Sequence, residues 1–445
     1  MWQSSNGAFA TRIRSTTRLP GDMQTTVALK QADRPVTHAH TLLRFVALYA
    51  LMYGAFGVSS PFMPAFFEGR GLTAEQLGAL FGAGTAIRLI SGPVLGRLAD
   101  LTQALRGVLA MCTVLAAVLA VGLLRMADAH ALFAISVLQA AALAPITTLA
   151  DALAVGAGGS RPVGARFEYG WVRGTGSGAF IVGTLVSGQV VGAWGLGSIL
   201  VLHAALLTLA GVMAPIVPAL PRPNPVAARS DPAPREGIVG LLRVAGFRRV
   251  ILVATLVLGS HAMHDTFAVI RWSAAGVNPA TVSVLWSESV AAEVVVFFLI
   301  GPWLVRRLGA GGVMALAATA GLVRWVVAAS TTDVTALALV QPLHGLTFAA
   351  LHLACMRVIP AVVPPGLAAT AQAIYALGPA AATAVLTLAS GHLYAHLGGR
   401  AFLAMALLCA AATPLALVSR ARWAADEWSG SAVDPPSGDQ RTIRP

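Results

Sequence analysis

Twelve mostly apolar stretches run through residues 43 to 420, each long enough to cross a bilayer and parted from the next by a polar seam. A helix rises about 1.5 Å per residue, so roughly 20 apolar residues cover the roughly 30 Å hydrocarbon core. One or two such runs would fit inside a soluble protein. A chain filled with them is an all-α, polytopic membrane protein, and its function class depends on what passes through it. The approximate spans are 43–67, 74–99, 107–125, 129–155, 169–192, 197–219, 249–273, 281–305, 311–330, 334–359, 366–392 and 399–420. Charged residues make up only 11% of the chain, against about 25% in a typical soluble domain. Its 45 glycines and 25 prolines would weaken soluble helices but are tolerated in lipid, where they let helices approach closely. Cys112, Cys355 and Cys409 lie inside apolar runs with no CxxC pair, and read as small packing residues.

The net charge of +12 would point to nucleic acid in a soluble protein, but its placement here marks topology. One set of seams collects Arg12, Arg14, Arg18, Lys30, Arg34 and Arg44, then Arg97, Arg106, Arg161 and Arg166. The same side holds Arg222, Arg229, Arg235, Arg243, Arg248, Arg249, Arg306, Arg307, Arg357, Arg420 and Arg422, and the opposite side only Arg70, Arg125, Arg271 and Arg400. By the positive-inside rule both termini are cytoplasmic, and no nucleic-acid partner is expected. Residues 1–42 form a polar tail without the apolar h-region of a secretory signal; its composition is that of a transit peptide, and a disordered cytoplasmic extension or an over-long start ahead of Met23 is the plainer reading. Residues 43–219 and 249–420 then form two six-helix bundles. Residues 220–248, with five prolines before a basic stretch, form the cytoplasmic linker between them, with room for a short surface helix from Glu236 to Phe247. Residues 421–445 form a cytoplasmic tail.

The halves echo each other. Gly92-Pro93-Val94-Leu95-Gly96-Arg97 ends the second segment, and Gly301-Pro302-Trp303-Leu304-Val305-Arg306 ends the eighth. Six helices, a linker and six more in parallel repeat describe two bundles facing each other about an axis along the membrane normal.

With these features the sequence resembles the major facilitator superfamily. Gly96-Arg97-Leu98-Ala99-Asp100 matches the Gly-x-x-x-Asp core of its loop between helices two and three, although Leu101 to Ala104 replace the usual basic and glycine positions before Arg106. The resemblance implies a gating motif of Gly96, Asp100 and Arg106; an Asp100 that merely caps the turn is the alternative. A narrower resemblance, to the phenylpropionate permease branch, runs from Leu43 to Arg420. It is carried by Pro145 to Leu153, Tyr169 to Ser177, Leu285-Trp286-Ser287, Ala292-Glu293-Val294, Val323-Arg324-Trp325, Leu343 to Phe348 and His352 to Arg357. That branch is related to lactose permease, and both are proton symporters of the bacterial inner membrane.

An ionised group at mid-membrane costs at least about 2.5–3.5 kcal/mol on the insertion scale, so such residues are normally paired or face a water-filled cavity. Arg173, among Gly170, Gly174, Gly176 and Gly178, matches the substrate-binding arginine of lactose permease, and its planar fork suits a carboxylate or vicinal hydroxyls; pairing with Glu168 is the alternative. The resemblance makes Asp151 its acidic partner, a few residues out of register. Arg324 and His344 match the arginine and histidine of proton coupling, and Trp325 stands beside Arg324 as a candidate substrate contact. Three residues after His344 the lactose permease pattern has a glutamate, and this chain has Thr347, which carries no proton. Glu293, deep in an apolar run, is the best substitute, with pairing to Arg324 or Arg88 as its alternative; Glu288 and Asp265 are further candidates. The matching aspartate of lactose permease pairs with a lysine, but the only lysine here is Lys30, so Asp265 must pair otherwise, for instance with His261, or sit in water. Arg88 is expected to point into the cavity, and Arg173 and Arg324 to face each other across it from the two halves.

No phosphate loop, GxSxG or HExxH occurs, and the histidines read as scattered without metal-ligand spacing, so neither an enzyme nor a metal site is expected. A transporter without cofactors, driven by the proton gradient, importing a small aromatic carboxylate and acting as a monomer in the lipid bilayer, is the reading that follows. A sugar:proton symporter of the lactose permease type and an efflux transporter are the alternatives. Reporter fusions after Arg166, Arg235 and Arg422 should report cytoplasm, and fusions near Gly276 and Gly399 the outside. An outside signal at Arg235 would break the segment assignment.

Overall fold

The computed structural model describes residues 34–159, 168–218, 237–363 and 367–430, and within these the chain is helical without a strand. The bulk of the N-terminal tail, Arg161, Arg166, the linker prolines and residues 431–445 lie outside the described residues. Among the described residues nine helical stretches are long and apolar enough to cross a membrane. Two of them, Pro279–Ser330 and Thr370–Val418, run to 52 and 49 residues, far more than the roughly 20 that one crossing needs. Gly309, at φ 67°, breaks the first stretch, and Gly398, at φ 54°, opens the short turn that breaks the second. These are left-handed backbone positions that favour glycine. With the shorter apolar helix Gly197–Met213, those breaks divide the chain into the segments expected from its sequence.

The first segment is Arg34–Ser59, the second Ala74–Thr102 and the third Leu105–Arg125. The fourth is Ala129–Leu143 continued by Ile146–Gly159, the fifth Tyr169–Trp194 and the sixth Gly197–Met213. The seventh is Ala245–Gly259 continued by Ala262–Ala274; the eighth starts at Pro279 and the ninth ends at Ser330, on either side of Gly309. The tenth runs from Val334–Val340 to Leu351–Val362, the eleventh is Ala368–Leu397 and the twelfth Phe402–Gly430. Several boundaries differ from the sequence reading: the sixth helix ends at Met213 rather than 219, the seventh begins at Ala245, inside the stretch assigned to the linker, and three others differ more. Helix begins at Arg34, inside the stretch assigned to the tail, and the last helix continues to Gly430 rather than stopping at 420. The first segment ends at Ser59, and Met63–Glu68 forms a separate short helix, with Pro61 before it and Pro64 in its first turn.

Irregularities fall where side chains compete for the backbone. In the seventh segment the Ser260 hydroxyl and the His261 Nδ1–H both donate to the carbonyl of Val257, at 2.7 and 3.0 Å, and the helix is interrupted there. The eighth widens into a π turn, Val296–Ile300, just before Gly301-Pro302, whereas the matching Pro93 sits inside an unbroken second helix. In the tenth, Pro342 lies in a 3₁₀ turn and Leu346–Ala350 form a π turn.

Within the N-terminal half the first and fifth helices touch backbone to backbone. A Cβ on Gly183 would fall on the Gly54 carbonyl, and one on Gly57 would fall on that of Phe180. Between the halves, the second helix lies along the eleventh and the fifth along the eighth. These seams are tight at the end away from the termini. A Cβ on Gly78 would lie 2.7 Å from the Gly391 Cα, one on Gly82 3.0 Å from the Ala384 carbonyl, and Gly188 lies against Pro279 and Ser283. At the terminus end of the fifth helix, Gly170, Gly174 and Gly178 meet nothing within 4 Å, and Trp171 is 70% exposed. The halves are closed at one end and parted at the other.

Arginines cap helix ends on both faces. Arg44 donates to the carbonyl of Ile216, and Arg106 to those of Pro215 and Val217, all just past the sixth helix. At the other face Arg70 donates to Leu124 and Met126 at the end of the third helix, and Arg271 to Ala329 near the end of the ninth. Cations there balance the negative end of the helix dipole. Two of the basic residues at the closed end, Arg70 and Arg271, are thus tied to helix termini.

Overpacking a filled contact costs about 1–3 kcal/mol. Gly183→Leu should therefore lower the thermal unfolding midpoint of the purified protein clearly, while Gly192→Ala, with nothing within 4 Å of its Cβ, should leave it unchanged.

Candidate functional site

Beneath the closed end lies a cavity of about 460 Å³. Its wall combines aromatic and apolar groups (Phe56, Met63, Phe67, Leu80, Phe81, Phe180) with Ser59, Thr85, Gln139, Thr147 and His203. The short helix Met63–Glu68, which packs against the seventh segment, contributes Met63, Pro64 and Phe67 to it. Arg88, from the second helix, and Asp265, from the seventh, line this same space from opposite halves. Asp265 was expected to pair with His261 or to sit in water; its neighbour is His264, whose Nδ1 lies 3.4 Å from its carboxylate, and 58% of its side chain is exposed, on the cavity lining. His261 turns away because its Nδ1 is committed to the Val257 carbonyl.

Behind the cavity wall Arg324 is 1% exposed. Its NH1 lies 3.2 Å from His261 Nε2, 3.3 Å from His344 Nδ1 and 3.2 Å from Thr347 Oγ1, and its NH2 donates to Gln341 Oε1 at 3.4 Å. NH1 carries two hydrogens, so these three acceptors share them. The pattern fixes both imidazoles. His261 is protonated on Nδ1 and presents the Nε2 lone pair to the guanidinium. His344 presents Nδ1 to Arg324 and turns Nε2 toward Glu293 Oε2, 3.7 Å away. Glu293 therefore meets His344, rather than Arg324 or Arg88 as the alternative reading had it. No carboxylate lies within ion-pair distance of Arg324 among the described residues, and its Nε has no hydrogen-bond partner there. The expected confrontation of Arg324 and Arg173 across the cavity does not occur, because Arg324 is sealed behind the two histidines.

Arg173 instead lies on the open face of the fifth helix, its guanidinium carbon 4.8 Å from the centre of the Tyr53 ring. Tyr53 fits there because Gly176 has no Cβ to meet it. Among the described residues no ion pair joins Arg173 to Glu293, in the other half, whose carboxylate instead has His344 Nε2 3.7 Å away. Asp151, expected as the partner of Arg173, accepts hydrogen bonds from the hydroxyls of Tyr49, at 2.5 Å, and Tyr169, at 2.7 Å. The few residues of register offset direct it to the tyrosines of the first and fifth helices. The two aromatics stack onward, Tyr49 on Tyr53, linking the Asp151 and Arg173 environments.

Other candidates lie elsewhere. Trp325 is 1% exposed and donates from Nε1 to Ser260 Oγ at 2.8 Å, so it is a core residue and lines no part of the large cavity. Glu288 is half-buried on the eighth helix, away from the cavity lining. Gly96 meets nothing within 4 Å, Asp100 is exposed in the last turn of the second helix, and Arg106 is engaged with the end of the sixth. Asp100 caps no helix start, because the helix continues past it to Thr102. The three do not assemble into one cluster. The cysteines are free and buried, as expected of packing residues. The histidines are less scattered than their sequence suggested: His392 and His396 stand one turn apart on the eleventh helix, beside Glu75.

Sequence reasoning weighed charges and passed over neutral polar groups. Tyr49, Tyr53, Tyr169, Gln139, Gln341 and His203 all complete the sites above, and Gln139 and Gln341 are buried in otherwise apolar runs. A buried amide in such a run was the available signal.

The sequence model described as MFS_1 like family matches residues 42–404. The chain is 35% identical over 375 residues to a probable 3-phenylpropionic acid transporter of Escherichia coli (strain K12), a match covering 82% of this chain and 94% of that one. Among solved structures it is similar to the nucleoside transporter NupG, with a TM-score of 0.69 at 18% identity, covering 86% of this chain and 99% of that one. It is also similar to a bacterial homologue of the human lysosomal transporter Spinster, with a TM-score of 0.63 at 15% identity, covering 87% and 98%.

Proposed function

The chain belongs to the MFS_1-like family of the major facilitator superfamily, and from that premise we propose that it imports a small aromatic carboxylate of the 3-phenylpropionate kind together with a proton, by alternating access. Membership makes it a membrane-spanning transporter and not an enzyme. A bacterial inner membrane, with both termini in the cytoplasm, is the setting that the arginine distribution and the relative from Escherichia coli support.

The observation that carries the substrate class is the cavity itself. Its size falls within the roughly 300–1,000 Å³ of small-molecule sites, and a single arginine stands among phenylalanines in its lining. The planar fork of Arg88 binds a carboxylate bidentately, and the phenylalanine walls take an aromatic ring. A neutral sugar fits less well. It lacks the negative charge that Arg88 pairs with, and the position where the lactose permease pattern has a glutamate holds Thr347, fully buried and bonded to His261.

Coupling follows from the charges that face each other between halves. Ionised Glu293 and Arg173 carry opposite charges on opposite halves and attract each other, weakly because Arg173 is exposed. A proton on Glu293 releases that attraction, and an anionic substrate on an arginine restores neutrality, so proton and substrate cross together without net charge. His344 orients Glu293 as a neutral imidazole, because Arg324 occupies its Nδ1. No cofactor takes part; the proton gradient supplies the energy, and one chain holds the whole pathway.

Glu293→Gln, which mimics the protonated carboxyl, should abolish accumulation against a gradient while leaving exchange of internal for external substrate intact. Arg88→Lys should lose most transport although the charge is kept, because the fork is lost. The amide of the acid should compete poorly with labelled 3-phenylpropionate. Equal competition by the amide or by a neutral sugar would overturn the anion reading.

A further inference from the structure

We propose that Glu75, His392 and His396 form a divalent-metal site, suited to Zn²⁺, that bridges the two halves at the closed end of the transporter. The histidines stand four residues apart on the eleventh helix and so share one face, their ring centroids 4.4 Å apart. Glu75 comes from the first turn of the second helix, in the other half. The candidate ligand atoms of all three lie within 4.8 Å of one another. Two imidazole nitrogens and one carboxylate oxygen are a donor set that zinc accepts, with a fourth position left to water.

The frame that holds them is rigid. Gly78, one turn after Glu75, and Gly391, just before His392, bring the two backbones into contact. At the start of the second helix the Thr73 N–H donates to Gln76 Oε1 at 2.9 Å, and the Gln76 N–H donates to Thr73 Oγ1 at 3.3 Å. That reciprocal cap fixes the turn bearing Glu75, whose carboxylate also meets its own backbone N–H and the Thr73 hydroxyl on the side that faces the histidines' helix. All three side chains are exposed, and none lines the substrate cavity, so an ion reaches the site from water without entering the transport path.

The three ligands meet because the second and eleventh helices meet. Under the alternating-access reading, on which this consequence rests, opening that end draws Glu75 away from the histidine pair. A bound metal then favours the closed end by its differential affinity for the two states, and with the assigned topology it acts from outside the cell as an inhibitor of import.

The test uses the full-length protein in lipid nanodiscs, any affinity tag removed, titrated with Zn²⁺ by calorimetry. Wild type should bind one Zn²⁺ per chain, and His392→Ala with His396→Ala should remove that binding. Glu75→Gln should weaken it at least about tenfold, since even the outer partners of metal ligands are worth about 10- to 100-fold. External Zn²⁺ should slow uptake into proteoliposomes, a chelator should restore it, and Glu75→Gln should transport normally and resist it. Binding that Glu75→Gln leaves unchanged would mean that the histidine pair acts alone, and would overturn the bridge between halves. No binding beyond that of the double histidine variant would overturn the site itself. The calorimetry needs no substrate, so a wrong substrate class leaves it standing.

Discussion

An ionised side chain inside a bilayer must find a partner or water, and the organisation of this transporter follows from how each one does so. Arg88 and Asp265 look into a cavity. Asp151 is held by two tyrosine hydroxyls, and Arg173 lies over a tyrosine ring on an exposed face of its helix. Arg324 has the most demanding position, buried without a carboxylate at contact distance among the described residues and solvated by two imidazoles, a hydroxyl and an amide. Arginine suits that place because its charge is delocalised and always present, and its planar donors hold fixed directions.

Those directions propagate outward. By donating to His344 Nδ1, Arg324 sets the tautomer that points Nε2 at Glu293; by donating to His261 it completes a ring committed at its other nitrogen to the Val257 carbonyl. The irregular turns in the seventh and tenth segments are what bring His261, His344 and Thr347 around one guanidinium. Departures from regular helix at membrane depth are tolerated where they are buried in protein or line a cavity, and both conditions hold here.

Much of this was legible in the sequence. Apolar run length is a strong signal because the bilayer imposes it, and it located the segments, with some ends displaced by up to about ten residues. The burial of Cys112, Cys355 and Cys409 was equally readable. Pairing was not. Asp151 and Arg173 looked like partners by position, yet two tyrosine hydroxyls reach Asp151, because contact across helices depends on rotation about each axis, which sequence spacing leaves open. Trp325 looked like a cavity residue from its neighbour Arg324, but adjacent residues on a helix point about 100° apart, and the indole went to Ser260 in the core. The Glu75–His392–His396 cluster lay beyond reach for the same reason, since its members belong to different halves and meet only when the seam closes.

The central claim is that the cavity carries an aromatic acid whose charge is balanced by a proton. It is tested most directly by the uptake of labelled 3-phenylpropionate into proteoliposomes under an imposed pH gradient, with protein-free liposomes as background. The account predicts saturable, protein-dependent accumulation above equilibrium that collapses when a protonophore dissipates the gradient. Uptake no greater than that of protein-free liposomes, or accumulation indifferent to the gradient, would contradict it.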